Sequence, residues 1–296
     1  MVIDMNKLST STRVQILSML CEGSSMRSVS RVCDVSINTV TKLLVDGGTV
    51  AAAFHHEKVR NVAAKSIQCD EIWSFSYAKN RNLRTAKVAP IGAGDVWTWT
   101  GIDADSKLIV SWFVGDRHHG AAFEFMSDLR ARLANKVQLT TDGHKAYLSA
   151  VRETDFDADY AMLIKIYGTE GGQTGRYSPP VLIGTETKTI TGNPDPNHIN
   201  TAYAERHNLT MRMQMRRFTR LTNAFSKKIE NHAHALALYF FWYNWVRSHK
   251  AHKLTPAMAA GLTTSPMEMA DLVALIDTRE AAELQSKRRA ILEAAE

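Results

Sequence analysis

A strand with two acidic residues in its middle places the strongest constraint on how this chain can fold. Residues Ser66 to Tyr77, SIQCDEIWSFSY, are mostly apolar, which is typical of a buried strand. Asp70 and Glu71 interrupt that pattern. Because an unpaired buried carboxylate is costly, an acid in such a strand is usually paired, bound to a metal or placed at the exposed end. The strand therefore predicts a polar site beside the core.

The segments that follow predict a mixed sheet flanked by helices. In chain order we expect strands at 96–102 and 108–114, a helix at 121–133, a strand at 137–141, a helix at 145–151 and a strand at 160–166. The strand at 137–141 stops at Asp142, and α/β sheets place ligands at the carboxyl ends of their strands. Together with the first strand, this β-β-β-α-β-α order resembles an α/β RNase-H-like fold.

Residues Asn200 to Lys228 combine one carboxylate with many basic side chains. If this stretch is helical, Glu205 and Arg212 share one face and Arg216 lies one turn further on. Seven Lys or Arg residues and no acid stand between Glu205 and Glu230, so these charges have no partner inside the stretch. Most charge runs are solvated helix faces, but this imbalance favours contact with a polyanion. The net charge of +6 agrees with that interpretation, although such a charge is common among unrelated proteins.

The N-terminal residues predict three short helices, at 12–22, 25–32 and 37–45. Ser36 is a good N-cap for the third helix, which we expect to end at Asp46-Gly47-Gly48. The arrangement resembles a helix-turn-helix, whose third helix enters the major groove of DNA. Asn38, Thr39 and Lys42 would then face DNA, while Val40 and Leu43 or Leu44 pack inward. A three-helix bundle that serves protein contacts is the alternative.

Changes in composition predict the domain boundaries. We expect a helix-turn-helix domain over residues 1–48, a linker over 49–64, a catalytic domain over 65–250 and a C-terminal tail over 251–296. Residues 168–197, rich in Gly, Pro and Thr, are expected to form an inserted loop or small hairpin. The apolar segment Ala224 to Ser248 predicts a buried helix packed on the sheet. The tail is expected to be peripheral, helical and available for self-association.

Cysteine usage and hydropathy bear on the cellular location. The chain has three cysteines and no C-x-x-C, which favours a reducing cytoplasm. Its longest apolar run, Ala235 to Tyr243, is too short to span a bilayer. The sequence therefore predicts a cytoplasmic protein.

Three carboxylates are the candidates for a metal site: Asp70, Asp142 and Glu205. Mg²⁺ prefers oxygen ligands, and two such ions can activate the attacking oxygen and stabilise the leaving oxygen in phosphodiester chemistry. Glu71 is expected to point to the opposite face of a regular strand, so only one residue of the Asp70–Glu71 pair can face the site. A turn residue is the alternative for Asp142, and a surface helix glutamate is the alternative for Glu205.

Four segments carry a recognisable pattern: CDEIWSF, TTDGHKAY, AERHNLTMRMQMRRFTRLTNAFSKK and YNWVRSHKAHKLTPAMAAGL. The first three resemble the insertion-sequence-one family of bacterial DDE transposases, and the fourth is similar to the C-terminal segment of that family's relatives. The resemblance covers roughly residues 65 to 262. It implies that Asp70, Asp142 and Glu205 form the metal-binding triad and that Arg212 contacts DNA near the cut. The chain departs from the founding members by lacking an N-terminal zinc-binding cysteine cluster and by its longer spacer between Asp142 and Glu205.

The resemblance implies a transposase that cleaves and joins DNA at the terminal inverted repeats of its insertion sequence. The implied cofactor is a pair of Mg²⁺ ions, for which Mn²⁺ can substitute. The expected DNA-binding residues are Asn38, Thr39, Lys42, Arg212, Arg216, Arg217 and Arg220. We expect a nucleoid-associated homodimer or higher homo-oligomer that binds repeat and target DNA. The alternative is a helix-turn-helix DNA-binding regulator, derived from a transposase, that has lost catalysis.

Overall fold

The chain forms two compact units in a computed structural model that describes residues 7–85, 88–168, 181–219, 222–250 and 252–294. Unit 1 contains residues Met1–Val59, Ser74–Asp95 and Thr210–Glu296, and unit 2 contains residues Arg60–Trp73 and Val96–Leu209. Each unit therefore combines separate parts of the sequence. No helix in the described ranges is long and apolar enough to cross a membrane.

Unit 1 begins with three helices close to the predicted positions: α1 (Thr10–Cys21), α2 (Met26–Val32) and α3 (Ile37–Lys58). Each begins after a serine, since the hydroxyls of Ser9, Ser25 and Ser36 accept hydrogen bonds from the backbone N–H three residues on. Val40, Leu43 and Leu44 are buried, as the helix pattern predicts.

Helix α3 does not end at Asp46-Gly47-Gly48, so that prediction was wrong. The helix continues to Lys58, and most of the residues assigned to a linker are helical. Glycine often ends a helix, but here it permits a close approach, because a Cβ at Gly48 would lie 2.4 Å from the backbone oxygen of His234. His234 belongs to α8 (Ile229–Phe241). The glycine therefore marks helix packing within unit 1 rather than a chain stop.

Helix α8 supplies the most apolar part of unit 1. It is followed by a π-helix over Trp242–Val246, and every residue from Ala235 to Trp245 is buried, as expected of a core helix. The helix begins at Ile229 rather than at Ala224, and it packs against α3 rather than on the sheet. Phe54 of α3 packs edge-on against Phe241 and Trp245, with ring centroids 5.4 and 5.0 Å away. Two short helices complete this unit: α4 (Asn80–Leu83) and α9 (Pro256–Ala259).

The C-terminal tail contains one long helix, α10 (Met269–Glu293). It is helical as expected, but its first half is not peripheral, because four of its apolar side chains are buried: Met269, Leu272, Val273 and Ile276. Full burial of such a side chain contributes about 1.5–3 kcal/mol. The carboxylate of Asp277 also accepts two hydrogen bonds from Arg13 of α1, at 2.6 and 2.9 Å. The tail is therefore part of the core of unit 1.

A mixed six-stranded sheet provides the frame of unit 2. Its strands are β1 (Ser66–Ser76), β2 (Gly94–Asp103), β3 (Ile109–Gly115), β4 (Val137–Asp142), β5 (Ala158–Gly168) and β6 (Val181–Thr191). Their order across the sheet is β3-β2-β1-β4-β5-β6. β4 pairs in parallel with β1 and β5, whereas the β2–β3 and β5–β6 pairs are antiparallel. With its flanking helices, the sheet is compatible with the RNase-H-like core that the order of elements predicts.

Helices α5 (His119–Arg132) and α6 (Ala146–Glu153) pack beside this sheet and against each other. Trp99 of β2 is fully buried between them. Its ring centroid lies 6.1 Å from that of Phe125 on α5 and 5.2 Å from that of Tyr147 on α6. These contacts hold α6, which follows Asp142, in a fixed position relative to the sheet.

The region 168–197, which we expected to be an inserted loop or small hairpin, contributes a full strand to the sheet. β6 pairs with β5 over almost the whole length of both strands. Residues 169–180, which connect the two strands, lie outside the described residues. The Thr-rich sequence of β6 is consistent with a strand, since β-branched side chains fit a pleated surface.

The basic segment 200–228 is not one long helix. Helix α7 (Ala202–Gln214) is followed by a 3₁₀ turn over Arg216–Phe218, so Arg216 does not continue the helix. Met215 has an extended backbone between them, with φ −113° and ψ 108°. Met215 and Phe218 are both buried. We attribute the break to this burial, which can outweigh the helix propensity of a segment.

Candidate functional site

Asp70 and Asp142 lie side by side on adjacent strands of unit 2. In the parallel β1–β4 pair Cys69 is opposite Thr141, and each aspartate is the next residue of its strand. Residues at equivalent positions of neighbouring strands direct their side chains to the same face. The structure therefore brings these two predicted site residues together.

Glu71 joins the two aspartates. One carboxylate oxygen from each of Asp70, Glu71 and Asp142 lies within 4.8 Å of the others. The expectation that Glu71 points away from the site was wrong. Strand alternation sets the direction of Cβ, but two hydrogen bonds set the position of the longer carboxylate: Arg117 Nε donates to Oε1 at 2.6 Å and the Tyr147 hydroxyl donates to Oε2 at 3.0 Å.

Arg117, two residues after β3, is the cation of this cluster. Besides its bond to Glu71, its guanidinium lies 3.7 Å from Asp142 Oδ2 and 4.6 Å from the centre of the Trp97 ring. Arginine can serve several partners at once because its planar group carries five N–H donors. Neither Arg117 nor Tyr147 was predicted from the sequence. Tyr147 ends the TTDGHKAY segment and could have been found there, whereas Arg117 stands in no motif.

Burial and the closeness of the acids raise the pKa values of Asp70 and Glu71. Burial raises the pKa of Asp70 to about 7, and the charges of Asp142, Glu71 and Glu205 act in the same direction. Burial and Asp142 also raise the pKa of Glu71, against the opposing effects of Arg117 and Tyr147. One guanidinium therefore does not neutralise the negative charge of the cluster.

The donor set fits a hard divalent cation. Carboxylate oxygens are the ligands that Mg²⁺ prefers, and a bound cation would offset the charge repulsion that adds to the effect of burial on the pKa of Asp70. The carboxylates of Asp70, Glu71 and Asp142 are close enough to share one ion.

Glu205, the third member of the predicted triad, is in the first turn of α7. Its carboxylate accepts a hydrogen bond from the Thr201 hydroxyl and forms an ion pair with Lys165 of β5. Glu205 is near enough to Asp70 to raise the pKa of that residue, but it is not among the three carboxylates within 4.8 Å of one another. The structure thus places Glu205 beside the cluster, with a lysine as its present partner.

Asn208, one helical turn after Glu205, contacts the cluster directly. Its Nδ2 donates to Asp70 Oδ2 at 2.8 Å, and the backbone N–H of Glu71 donates to Asp70 Oδ1 at 2.9 Å. Asn208 is 5% exposed, and its buried Oδ1 has no hydrogen-bond partner among the described residues. Asn208 was not predicted from the sequence, although its spacing of three from Glu205 on a helix places both residues on one face.

The residues expected to read DNA lie at the start of α3. Asn38 is exposed, and Thr39 is half-buried with its hydroxyl 2.9 Å from that of Ser36. Lys42 is exposed too, but its ammonium is paired with Asp46 at 2.6 Å and with Glu280 of α10 at 3.4 Å. Its charge is therefore already shared with acids of unit 1.

The four arginines expected to contact DNA have different surroundings. Arg216 is exposed and Arg212, on α7, is half-buried. Arg217 Nε donates to Ser226 Oγ at 2.6 Å, and burial of the guanidinium lowers the pKa of Arg217 to about 10. Arg220 lies outside the described residues.

Comparisons with known proteins give little further information. No protein-family model and no curated protein matches the chain. Among solved structures, the chain is similar to the Mos1 transposase paired-end complex with left transposon end, at 11% sequence identity and a TM-score of 0.24. The match covers 52% of this chain and 59% of that one, which is less than two thirds of the transposase. A TM-score of 0.24 is too low to establish a common fold.

Proposed function

We propose that this protein is a DDE-type transposase of the insertion-sequence-one kind, which cleaves DNA at the terminal inverted repeats of its element and joins the freed ends to target DNA. The observation that carries the proposal is the cluster of Asp70, Glu71 and Asp142, whose carboxylate oxygens lie within 4.8 Å of one another. Acids gathered in this way are costly for a purely structural role. They suit metal-assisted phosphoryl transfer.

Asp70, Asp142 and Glu205 would hold two Mg²⁺ or Mn²⁺ ions, which supply activation of the attacking oxygen and stabilisation of the leaving oxygen. The other residues of the site keep these ligands in place. Asn208 and the N–H of Glu71 each bind one oxygen of Asp70. Arg117, anchored by Glu71, lies at Asp142. Such supporting hydrogen bonds commonly decide metal affinity.

DNA recognition is assigned to unit 1. The first three helices act as a helix-turn-helix that reads the repeats through Asn38, Thr39 and Lys42, and the phosphate contacts come from Arg212, Arg216, Arg217 and Arg220. The exposure of Asn38 and Arg216 supports this assignment. The enzyme acts as a homodimer or higher homo-oligomer at the bacterial nucleoid and binds both repeat and target DNA.

A plasmid that carries the element's inverted repeats tests the proposal. Purified protein with Mg²⁺ or Mn²⁺ should nick the repeat ends, and Asp70→Asn, Asp142→Asn and Glu205→Gln should each abolish nicking while retaining DNA binding. Glu124→Gln is the matched control, since Glu124 is an exposed acid of α5 outside the cluster. If the parent protein binds the repeats but neither nicks nor joins them, the proposed catalysis is wrong.

One observation favours the alternative, a DNA-binding regulator that has lost catalysis. The Glu205 carboxylate is occupied by Lys165 and Thr201, so the third predicted ligand is not free. The regulator would bind repeat DNA with or without a divalent metal, and the three substitutions above would leave its repression of a reporter gene unchanged.

A further inference from the structure

Strand β6 forms one edge of the sheet in unit 2. It pairs with β5 on one side, and the strand order of the described residues ends with it. Nine of its eleven residues are exposed, including Val181, Leu182 and Ile183 at 53, 50 and 58%. A long exposed edge strand is a template for pairing with another strand, and natural proteins usually cover or interrupt such an edge. This edge is therefore open to pairing with another strand.

The sequence of β6 is complementary to itself when two copies run antiparallel. Pairing about Thr187 places Thr187 opposite its own copy, Thr185 opposite Thr189, and Glu186 opposite Lys188. The symmetry produces two Glu–Lys pairs in one interface. Pairing about Glu186 would set two glutamates opposite each other, and pairing about Lys188 would set two lysines opposite each other. Charge thus selects the register centred on Thr187.

The side chains suit such an interface in other respects. Thr185, Thr187 and Thr189 share one face of β6, and cross-strand threonine pairs are favourable. Glu186 and Lys188 lie on the opposite face and are both exposed, so their charges are available to a second copy. Backbone hydrogen bonds along a shared edge supply affinity, while the side chains choose the partner.

We propose that β6 is a homodimer interface, in which two copies of the chain join their sheets edge to edge about Thr187. The dimer has two-fold symmetry, so each residue pair occurs twice except that of Thr187 with its own copy, which lies on the axis. It forms without DNA and without metal, and its existence does not depend on the proposed catalysis. Full-length protein alone therefore suffices for the tests.

Charge exchange tests the partner and the register together. Glu186→Lys and Lys188→Glu each replace two attractive pairs by two repulsive ones, and each should raise the dimer dissociation constant roughly tenfold in sedimentation velocity at low salt. The double variant with both substitutions restores the opposite charges and should recover the parent's dissociation constant. Both side chains are exposed, so circular dichroism should show an unchanged fold.

Cysteine cross-linking gives an independent measurement. Thr187→Cys should form an intermolecular disulfide on mild oxidation, because residue 187 faces its own copy. Thr185→Cys is the matched control and should not cross-link with itself, but it should do so when mixed with Thr189→Cys. The parent chain, in which Cys21 and Cys69 are buried and Cys33 is half-buried, shows the background.

Three results would overturn the proposal. One is a parent protein that stays monomeric at every concentration. Another is a set of charge variants that does not behave as expected: either both single variants keep the parent's dimer dissociation constant, or the double variant fails to recover it. The third is equal self-cross-linking of Thr185→Cys and Thr187→Cys, which would show a different register or a different surface.

Discussion

Lys165 of β5 forms an ion pair with Glu205 of α7 beside the acidic cluster of unit 2. The lysine gives this carboxylate a cation of its own, so it competes with any metal that Glu205 would help to hold. Its positive charge also opposes a divalent ion through space.

Removing this lysine should tighten metal binding. We expect Lys165→Met to lower the Mn²⁺ dissociation constant roughly tenfold, because a unit charge close to a divalent ion costs about 1–2 kcal/mol at high effective dielectric constant. Isothermal titration calorimetry measures the change. Lys136→Met is the control, since Lys136 pairs with Asp157 and Asp159 instead. Weaker binding in Lys165→Met would mean that the lysine orients Glu205 rather than competing for it.

Asn208→Ala should weaken Mn²⁺ binding about tenfold, because loss of a group that positions a ligand commonly costs 10–100-fold in metal affinity. The variant removes the hydrogen bond to Asp70 Oδ2. Asn197→Ala, an exposed asparagine of the same unit, should bind Mn²⁺ as the parent does. Unchanged affinity in Asn208→Ala would show that Asp70 is held adequately by the Glu71 N–H alone.

Glu71→Gln should impair both stability and metal binding. The amide keeps the shape but removes the charge that pairs with Arg117, and a buried hydrogen bond to a charged group contributes about 1.5–3 kcal/mol. Urea unfolding would show the loss of stability, and Mn²⁺ titration the loss of affinity. Glu124→Gln should change neither. A Glu71 side chain on the opposite face, as strand alternation predicts, would leave metal binding largely unchanged in Glu71→Gln, so the experiment separates that prediction from the observed geometry.

The two residues at 216 and 217 should differ in DNA binding. Arg216 is exposed, so Arg216→Ala should lower the slope of log affinity against log salt by roughly 0.9, the value for one phosphate contact. Arg217 is half-buried and its Nε donates a hydrogen bond to Ser226, so Arg217→Ala should instead lower the unfolding temperature with a smaller change in slope. Equal effects of the two substitutions on the salt slope would contradict this distinction.

Low pH should weaken the contact between Asp277 of α10 and Arg13 of α1. The hydrogen bond from Arg13 lowers the pKa of Asp277 to about 2, with further help from Lys7. A carboxyl group whose pKa is depressed in the folded state contributes stability above its unfolded pKa and loses that contribution as pH falls toward the folded value. The difference in unfolding temperature between the parent and Asp277→Asn should therefore shrink from about pH 5 toward pH 2. A constant difference over that range would mean that Asp277 acts through packing alone.

Local patterns predicted strands β1 to β5 but not β6, and they predicted the strand positions of Asp70 and Asp142. Strand periodicity places Asp70, and the end of a strand places Asp142, because both signals depend on neighbours along the chain. The positions of Glu71 and Glu205 depend on Arg117 and Lys165, which come from distant parts of the sequence. No pattern in a single sequence indicates such pairs.

The predicted ends of α3 and α7 were wrong for a related reason. Gly47-Gly48 would end a helix in isolation, but the approach of His234 requires a residue without a side chain at Gly48. Met215 leaves the helical conformation where buried apolar side chains follow α7. In both places tertiary packing outweighed a local preference.

The packing at Gly47 has a consequence for how the protein is made. A Cβ there would lie 3.1 Å from Leu17 and 3.8 Å from both Leu238 and Ile276, so helices from both ends of the chain meet at this point. Domains usually fold in the order in which the ribosome releases them. Here the first three helices leave the ribosome long before α8 and α10, on which their core depends. A product of interrupted translation, or a gene fusion that borrows only residues 1–60, would therefore carry the three N-terminal helices without the packing that holds them together.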